Sequence, residues 1–339
     1  MQTKLLTDKK EDLAEAAALL AAGEVVAIPT ETVYGLAADA RNGAAVAAIF
    51  RAKGRPADNP LIVHIADYEQ LGGLFRRVPT AAKALADAYW PGPLTMIFDK
   101  ADGVPDEVTA GLDTVAVRMP SHPVARELIR LSGCPLAAPS ANLSGSPSPT
   151  DARRVAQDMD GRIAAIVDGG ACEFGVESTV VSLTGDTVRL LRPGAVTVEM
   201  LEAVVGTVEV DEAVLAPLRD GVAAASPGMK YKHYAPPARV VLVAGTPEQY
   251  RAFVNESAAD GVMALCFDGE EAGLSVPYLT YGRRDDAAAQ AKQIFEMLRR
   301  VDEQGAKLVY TACPSAEGIG LAVFNRLLRA AGFEVIVLE

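Results

Sequence analysis

The chain has 339 residues, half of them hydrophobic, and a formal net charge of −12. That length allows two domains, and that apolar share supports packed cores rather than disorder. The acidic balance argues against wrapping a nucleic-acid backbone, which needs a basic face, but leaves room for a local basic pocket. Cys134, Cys172, Cys266 and Cys313 lie far apart with no C-x-x-C pair. Free thiols are therefore expected rather than a zinc site or a disulfide framework. No apolar run reaches membrane-spanning length, and the polar start Met1–Lys10 lacks the layout of a signal peptide. A cytoplasmic protein with no membrane association is expected.

In chain order, residues 11–22 have the pattern of a helix, stopped by Gly23. A buried strand at 24–28 then delivers Pro29-Thr30-Glu31-Thr32-Val33-Tyr34-Gly35-Leu36 into a turn that closes at Gly35. A strand end of this kind exposes hydroxyls and N–H groups on a rigid base, which suits a small polar ligand. Residues 43–53 form a second helix with Val46, Ile49 and Phe50 on one face, stopped by Gly54 and Pro56. Strands are expected at 61–65, 94–98 and 114–117, a helix at 123–131, and strands at 135–139 and 163–167. Residues 177–183 and 187–191 have the pattern of a hairpin across Thr184-Gly185-Asp186. Mixing without strict alternation points to a mixed sheet in an α/β domain over 1–205.

From residue 239 the rhythm is regular. Strands at 239–243, 262–267, 307–311 and 333–338 alternate with helices at 247–259, from Asp285 to about Gln304, and at 320–331. Alternation of this kind predicts a smaller, Rossmann-like parallel α/β domain over 239–339. Gly245 is isolated, so no dinucleotide fingerprint is present. Residues 206–238 form a linker ending in Ser226-Pro227-Gly228-Met229-Lys230-Tyr231-Lys232-His233-Tyr234-Ala235-Pro236-Pro237. Proline at both ends marks a connector. Two lysines, a histidine and two tyrosines also fit a strap that folds over a ligand.

Several residues could carry chemistry. Lys53, Arg55 and Asn59 follow a helix, with Gly54, Pro56 and Pro60 shaping the chain. They fit a polyphosphate clamp, Arg giving forked hydrogen bonds and Lys a point charge. Cations at a helix C-terminus are also favoured by the dipole alone. His64 sits late in its strand, where a core role is the plainer reading. With only His122 and His233 besides, a histidine metal site has little support. Arg118 ends an apolar strand and needs an anion, either a ligand carboxylate or a structural acid. Ala138–Pro149 is a loop of small hydroxyl residues, including Ser140 and Ser148. Ser178 opens a strand and Arg192 closes the hairpin. No G-x-x-x-x-G-K-[ST] phosphate loop and no G-x-S-x-G elbow occur. Cations and hydroxyls at strand ends and loops converge on one mouth of a sheet.

PTETVYGL, KGRPxxNPLxxHI, WPGPLT, VAVRxP, APSANxSGxxSPT and GxESTVV…LRPG stand in this order over roughly residues 10–200. Together they resemble the YrdC/Sua5 family of threonylcarbamoyl-AMP synthases. The linker and the following α/β domain resemble its long Sua5 form. The resemblance implies a YrdC-like twisted mixed sheet with helices around an open cavity. It also implies that L-threonine, bicarbonate and ATP yield L-threonylcarbamoyladenylate and pyrophosphate. The product would serve threonylcarbamoyladenosine modification of tRNA at position 37, through a separate transferase. Mg²⁺ would accompany ATP, with no metal ligands of the chain's own.

By motif position, Thr32, His64, Arg118 and Ser178 would hold threonine, Arg118 pairing its carboxylate. Lys53, Arg55, Asn59, Ser140, Ser148 and Arg192 would hold ATP, with Thr114 and the Ala138 backbone nearby. Lys53 and Arg55 would be the catalytic cations. Tyr234, or as the second choice Tyr231, would cover the nucleotide. Thr30, Glu31 and Tyr34 would shape the turn.

Two other classes were weighed. An RNA-binding protein is disfavoured by the acidic balance. A carbamoyltransferase of the hydrogenase-maturation type needs an acylphosphatase module and zinc-finger-like cysteine pairs, and the sequence has neither. Arg55→Ala and Lys53→Ala are each expected to lose turnover in an ATP-dependent assay while circular dichroism remains native. Wild-type rates in both variants would remove the clamp.

Overall fold

The computed structural model describes residues 2–218, 224, 226 and 234–339. The described residues fall into two compact units. The first holds those up to Ser144 and from Ser148 to Val214, with Leu218, Ala224 and Ser226. The second holds Gly145–Pro147, Leu215–Pro217 and the described residues from Tyr234 to Glu339. Tyr231 and most of the Ser226–Tyr234 segment lie outside the described residues.

In the first unit the elements run β1 (Lys4–Thr7), α1 (Lys10–Ala21), β2 (Val26–Ile28), β3 (Gly35–Asp39), α2 (Gly43–Lys53) and β4 (Ile62–His64). They continue with α3 (Thr80–Tyr89), β5 (Leu94–Asp99), α4 (Asp106–Thr109), β6 (Thr114–Arg118), α5 (Pro123–Ser132), β7 (Leu136–Ala137), α6 (Ala152–Met159) and β8 (Ala165–Asp168). The last are β9 (Thr179–Ser182), β10 (Val188–Arg192), α7 (Val198–Val205) and β11 (Val208–Val210). The strands make one eleven-stranded mixed sheet in the order β1-β8-β2-β3-β7-β4-β6-β5-β9-β10-β11.

Side chains alternate between the faces of a strand, and here the alternation sorts function from core. One face carries Leu36, Val63, Met96, Phe98, Val115, Val117 and Val181. It is covered by apolar residues of α2, α3, α6 and α7, including Ile49, Leu85, Val155 and Leu201. On the other face, α1 and α5 cover the β1–β7 half through Leu13, Leu20, Leu128 and Ile129. The remaining half is the exception. There, among the described residues, Ile62, Ile97, Ala116, Val180 and Leu191 meet Ala213, Ala224 and Leu218 of the segment after β11. The polar residues His64, Thr95, Thr114 and Arg118 are in step with these and share this face.

The second unit is a five-stranded, wholly parallel sheet in the order β14-β13-β15-β12-β16. Its elements are β12 (Arg239–Ala244), α8 (Pro247–Glu256), β13 (Val262–Cys266), β14 (Tyr278–Thr280), α9 (Ala287–Glu303), β15 (Leu308–Ala312), α10 (Gly320–Ala330) and β16 (Val335–Val337). The expected alternation is present. A full capping box opens α8, with the Thr246 hydroxyl on Gln249 N and the Gln249 side chain on Thr246 N.

Sequence reading found no element at β1, β3, α3, α6, α7, β11 or β14. β3 reads Gly-Leu-Ala-Ala-Asp, which is weak in β propensity. It is a strand because β2 and β7 flank it on both sides. α6 follows a Ser/Pro loop, and the Asp151 carboxylate caps it by accepting from Arg154 N at 2.8 Å.

The chain turns back tightly after β10. A Cβ on Gly194 would lie 2.4 Å from Thr179 N and 2.7 Å from its hydroxyl. That hydroxyl already donates to Val196 O at 2.6 Å. Gly194→Ala must therefore push apart the start of β9 and the return loop. It is expected to cost about 1–3 kcal/mol, read as a fall of several degrees in the thermal midpoint. An unchanged midpoint would contradict this close approach.

Candidate active site

The half-covered face carries a row of polar side chains that runs from strand to strand. Parallel pairing of β4 with β6 sets His64 beside Arg118, and antiparallel pairing of β5 with β6 sets Thr95 on the other side of Arg118. The Thr95 hydroxyl meets the Ser178 hydroxyl at 2.8 Å. Arg192 continues the row, donating from Nη2 to the Ser178 hydroxyl at 3.1 Å and from Nε to Ser178 O at 3.0 Å. All five side chains are buried.

Arg118 is the centre. Its Nη1 donates to the Thr32 hydroxyl at 2.9 Å, and its Nε donates to Gly92 O at 3.3 Å. Its Nη2 lies 2.6 Å from the Glu31 carboxylate, and the two side chains are only 4% and 3% exposed. Burial opposes ionisation of Glu31, but the Arg118 charge and the N–H groups of Glu31 and Ser121 outweigh it. The carboxyl is held below its usual range and stays ionised near neutral pH. The loop is braced from within as well. Thr30 donates to Val33 O at 2.6 Å and pairs with the Thr32 hydroxyl at 2.9 Å. Tyr34 donates to Gly170 O at 2.7 Å.

His64 Nδ1 lies 3.0 Å from Ile62 O. A carbonyl only accepts, so Nδ1 carries the proton and Nε2 is left as an acceptor. Burial, followed by the Arg118 charge, pushes this imidazole down to about 3. Cys172, near the same loop, is pushed up to about 12, chiefly by burial. Both groups are therefore uncharged near neutral pH.

A second cluster lies along the Ala138–Pro149 loop, which is laced to the octapeptide. Leu36 N donates to Pro139 O at 2.8 Å, Ala141 N to Tyr34 O at 2.8 Å and Tyr34 N to Pro149 O at 3.0 Å. Lys53 is 3% exposed. Its amine donates to Ser140 O and, at 2.7 Å, to Asn142 O. Burial, then the nearby Arg55 charge, lowers its basicity well below the usual amine range. Lys53 is thus a strut for the loop as well as a cation. Gly54 caps α2 in the left-handed region at φ 63, which releases Arg55 to donate to Asn59 O at 3.3 Å. Both polar atoms of the Asn59 side chain are buried without a partner. The Ser140 hydroxyl donates to Asn142 Oδ1, and the Ser148 hydroxyl to Glu177 Oε1, each at 2.5 Å.

The structure thus gathers Thr32, His64, Arg118, Ser178 and Arg192 in one contiguous row. It gathers Lys53, Arg55, Asn59, Ser140 and Ser148 around one loop system. Thr114 begins β6 on the same face, half-buried. The Ala138 N–H is already committed to Ile62 O at 2.9 Å. Tyr234 belongs to the second unit, where its ring packs 5.1 Å from Phe295 with Arg326 5.8 Å above it. Among the described residues, no group of three or more His, Cys, Asp and Glu could hold a metal ion, and all four cysteines are free.

Two site residues escaped sequence reasoning. Glu31 was assigned to turn shaping, yet its side chain is the ion partner of Arg118. Thr95 lies inside the WPGPLT segment and links Arg118 to Ser178. The signal for Glu31 was available: a buried strand-end arginine and an acid between two threonines each needed a partner.

A sheet with one half-face that gathers buried cations, hydroxyls and a neutral imidazole has the chemistry of a site for a small charged metabolite. The chain belongs to the Sua5/YciO/YrdC family. That family's model, described as telomere recombination, matches residues 18–194. A second model, described as the C-terminal domain of threonylcarbamoyl-AMP synthase, matches residues 196–332. The chain is 49% identical to the threonylcarbamoyl-AMP synthase of Bacillus subtilis over 338 residues, covering 98% of this chain and 97% of the relative. It is 46% identical to that of Pyrococcus abyssi over 330 residues, covering 95% and 94%. The crystal structure of P. abyssi Sua5 complexed with L-threonine superposes with a TM-score of 0.93 at 42% identity, covering all of both chains.

The neutral His64 has a consequence for stability. The unfolded imidazole binds a proton near its usual value of about 6.5, and the folded one only near 3. Between those values the unfolded chain holds more protons, so stability falls as pH drops through the window. This group alone contributes a slope of roughly 1.4 kcal/mol per pH unit there. An NMR titration is expected to show the His64 ring unprotonated from about pH 8 down to about pH 5, where an ordinary histidine titrates. A midpoint near 6.5 would overturn this assignment.

Proposed function

We propose that this chain makes L-threonylcarbamoyladenylate and pyrophosphate from L-threonine, bicarbonate and ATP. It is an enzyme of the nucleotidyltransferase kind. One observation carries the reading: the likeness to curated threonylcarbamoyl-AMP synthases runs through nearly the whole chain, at 49% identity over 98% of it.

Threonine would lie along the row, with its carboxylate on Arg118 and with Thr32, His64 and Ser178 around it. The uncharged His64 would offer Nε2 as an acceptor for a substrate N–H or O–H. ATP would lie along the loop system, its phosphates meeting Lys53, Arg55 and Arg192, with Asn59, Ser140, Ser148, Thr114 and the Ala138 backbone nearby. Mg²⁺ would enter with ATP as part of that substrate, since phosphate oxygens are the ligands it prefers.

Addition of the threonine amine to the bicarbonate carbon, with loss of water, gives a carbamate. A carbamate oxygen then attacks the α-phosphorus, and the bond to the pyrophosphate oxygen breaks. Such a step asks for alignment and charge neutralisation more than covalent help. Buried cations supply both, in surroundings where water cannot weaken them. Excluding water also protects the carbamate and the mixed anhydride. The product would pass to a separate transferase that modifies tRNA. The reaction would run in the cytoplasm, a setting in keeping with the free cysteines.

Incubation with labelled bicarbonate, L-threonine, ATP and Mg²⁺ is expected to give threonine-dependent pyrophosphate and a labelled threonylcarbamoyl nucleotide, resolved by chromatography and mass spectrometry. Pyrophosphate release that ignores threonine would refute the reading.

A further inference from the structure

Glu31 is an acid buried directly against Arg118 of the proposed threonine site. Its side chain is 3% exposed and faces Arg118 Nη2 at 2.6 Å. Its own N–H and that of Ser121 also face it. Arg118 is its charged partner, and among the described residues neither carboxylate oxygen meets full hydrogen-bond geometry. A carboxylate has more acceptor sites than one guanidinium N–H fills, so Glu31 can still receive a donor from a ligand. The backbone holds it in place, since Phe174 N donates to Glu31 O at 2.9 Å.

We propose that Glu31 is a specificity-determining residue: its carboxylate makes the Arg118 site select an amino acid over a carboxylate of the same shape that lacks the amine. The inference rests on the proposed threonine site at Arg118.

The argument is one of charge. Glu31 and Arg118 together carry no net charge. Among the described residues, His64, His122 and Cys172 interact with the pair and are uncharged near neutral pH, while Arg192 lies further along the row on Ser178. A ligand carboxylate that meets Arg118 therefore also meets the field of the Glu31 carboxylate. A bare anion meets that repulsion with no cationic group of its own to set against Glu31. A zwitterion sets its ammonium group against the waiting Glu31 oxygen and completes both pairs. Rejecting the wrong ligand by an uncompensated charge is an effective source of selectivity. Arg118 has the donors for this. Its Nη1 and Nη2 carry four N–H bonds, and Thr32 and Glu31 engage one each.

Two ligands separate the possibilities: L-threonine, and 3-hydroxybutyrate, which is threonine without its amine. Calorimetric titration of the full-length protein is expected to show wild type binding threonine about tenfold or more tighter than 3-hydroxybutyrate, the worth of one charge-assisted hydrogen bond. In Glu31→Gln, which keeps the shape, the ratio is expected to fall to about one, by loss of threonine affinity and not of 3-hydroxybutyrate affinity. Glu31→Asp is expected to recover part of the preference. A preference unchanged in Glu31→Gln, or equal losses for both ligands, would show that Glu31 merely supports the fold. A wild-type ratio near one would overturn the proposal without any variant. Wild type that binds no threonine at all is a different result, and it removes the threonine site itself.

Discussion

Arg118 and Glu31 form a buried ion pair, and much of the first unit is arranged to make it possible. Taking two charges out of water is costly, and the cost is met only if attraction and additional polar contacts are well placed. β6 supplies the arginine, the octapeptide loop supplies Glu31 and Thr32, and the Trp90–Pro93 segment supplies the Gly92 carbonyl. Three stretches remote in sequence are thus held to one side chain. Losing either charge would leave the other stranded, at about 3–5 kcal/mol for a pair of this kind. The pair also sets the state of its neighbours, since the arginine's charge helps keep His64 neutral.

The same economy of burial explains the site. A mixed sheet covered by helices on both faces would be an inert core. Here one half of one face lacks a helix and is met instead by Ala213, Ala224 and Leu218. The polar row shares that half-face with them, and its buried strands hold the side chains in register, as positioning of reactants requires. Lys53 adds a second constraint. Its amine ties α2 to the Ser140–Asn142 backbone, so the shape of the hydroxyl loop and the charge beside it have a common origin.

Most of what the sequence displayed was local. The helices α1, α2, α5, α9 and α10 have clear apolar faces or stops, and the buried strands β2, β4, β5 and β6 are apolar runs. Thr32, His64, Arg118, Ser178 and Arg192 were all legible as candidates at strand ends and turns, and the fold brings them into one row. Some missed elements had a local signal that went unread, as in α6 with its Asp151 cap, and others had none. β3 is an alanine-rich strand that exists because two neighbours pair with it. β1 pairs with β8, about 160 residues further on. No local window contains that partner.

Sequence by itself determined the composition of the site and the family to which the chain belongs, because turn residues, strand ends and motif order are written in consecutive residues. Tertiary structure decided which of those residues face one another. Whether Arg118 waits for a ligand or answers a structural acid was open in the sequence. The fold places Glu31 2.6 Å away, so Arg118 has a structural acid beside it whatever ligand it also meets. It likewise turned Lys53 inward as a strut and neutralised His64. The reason is physical: partners, burial and charge state are properties of the space around a side chain, and only long-range packing creates that space.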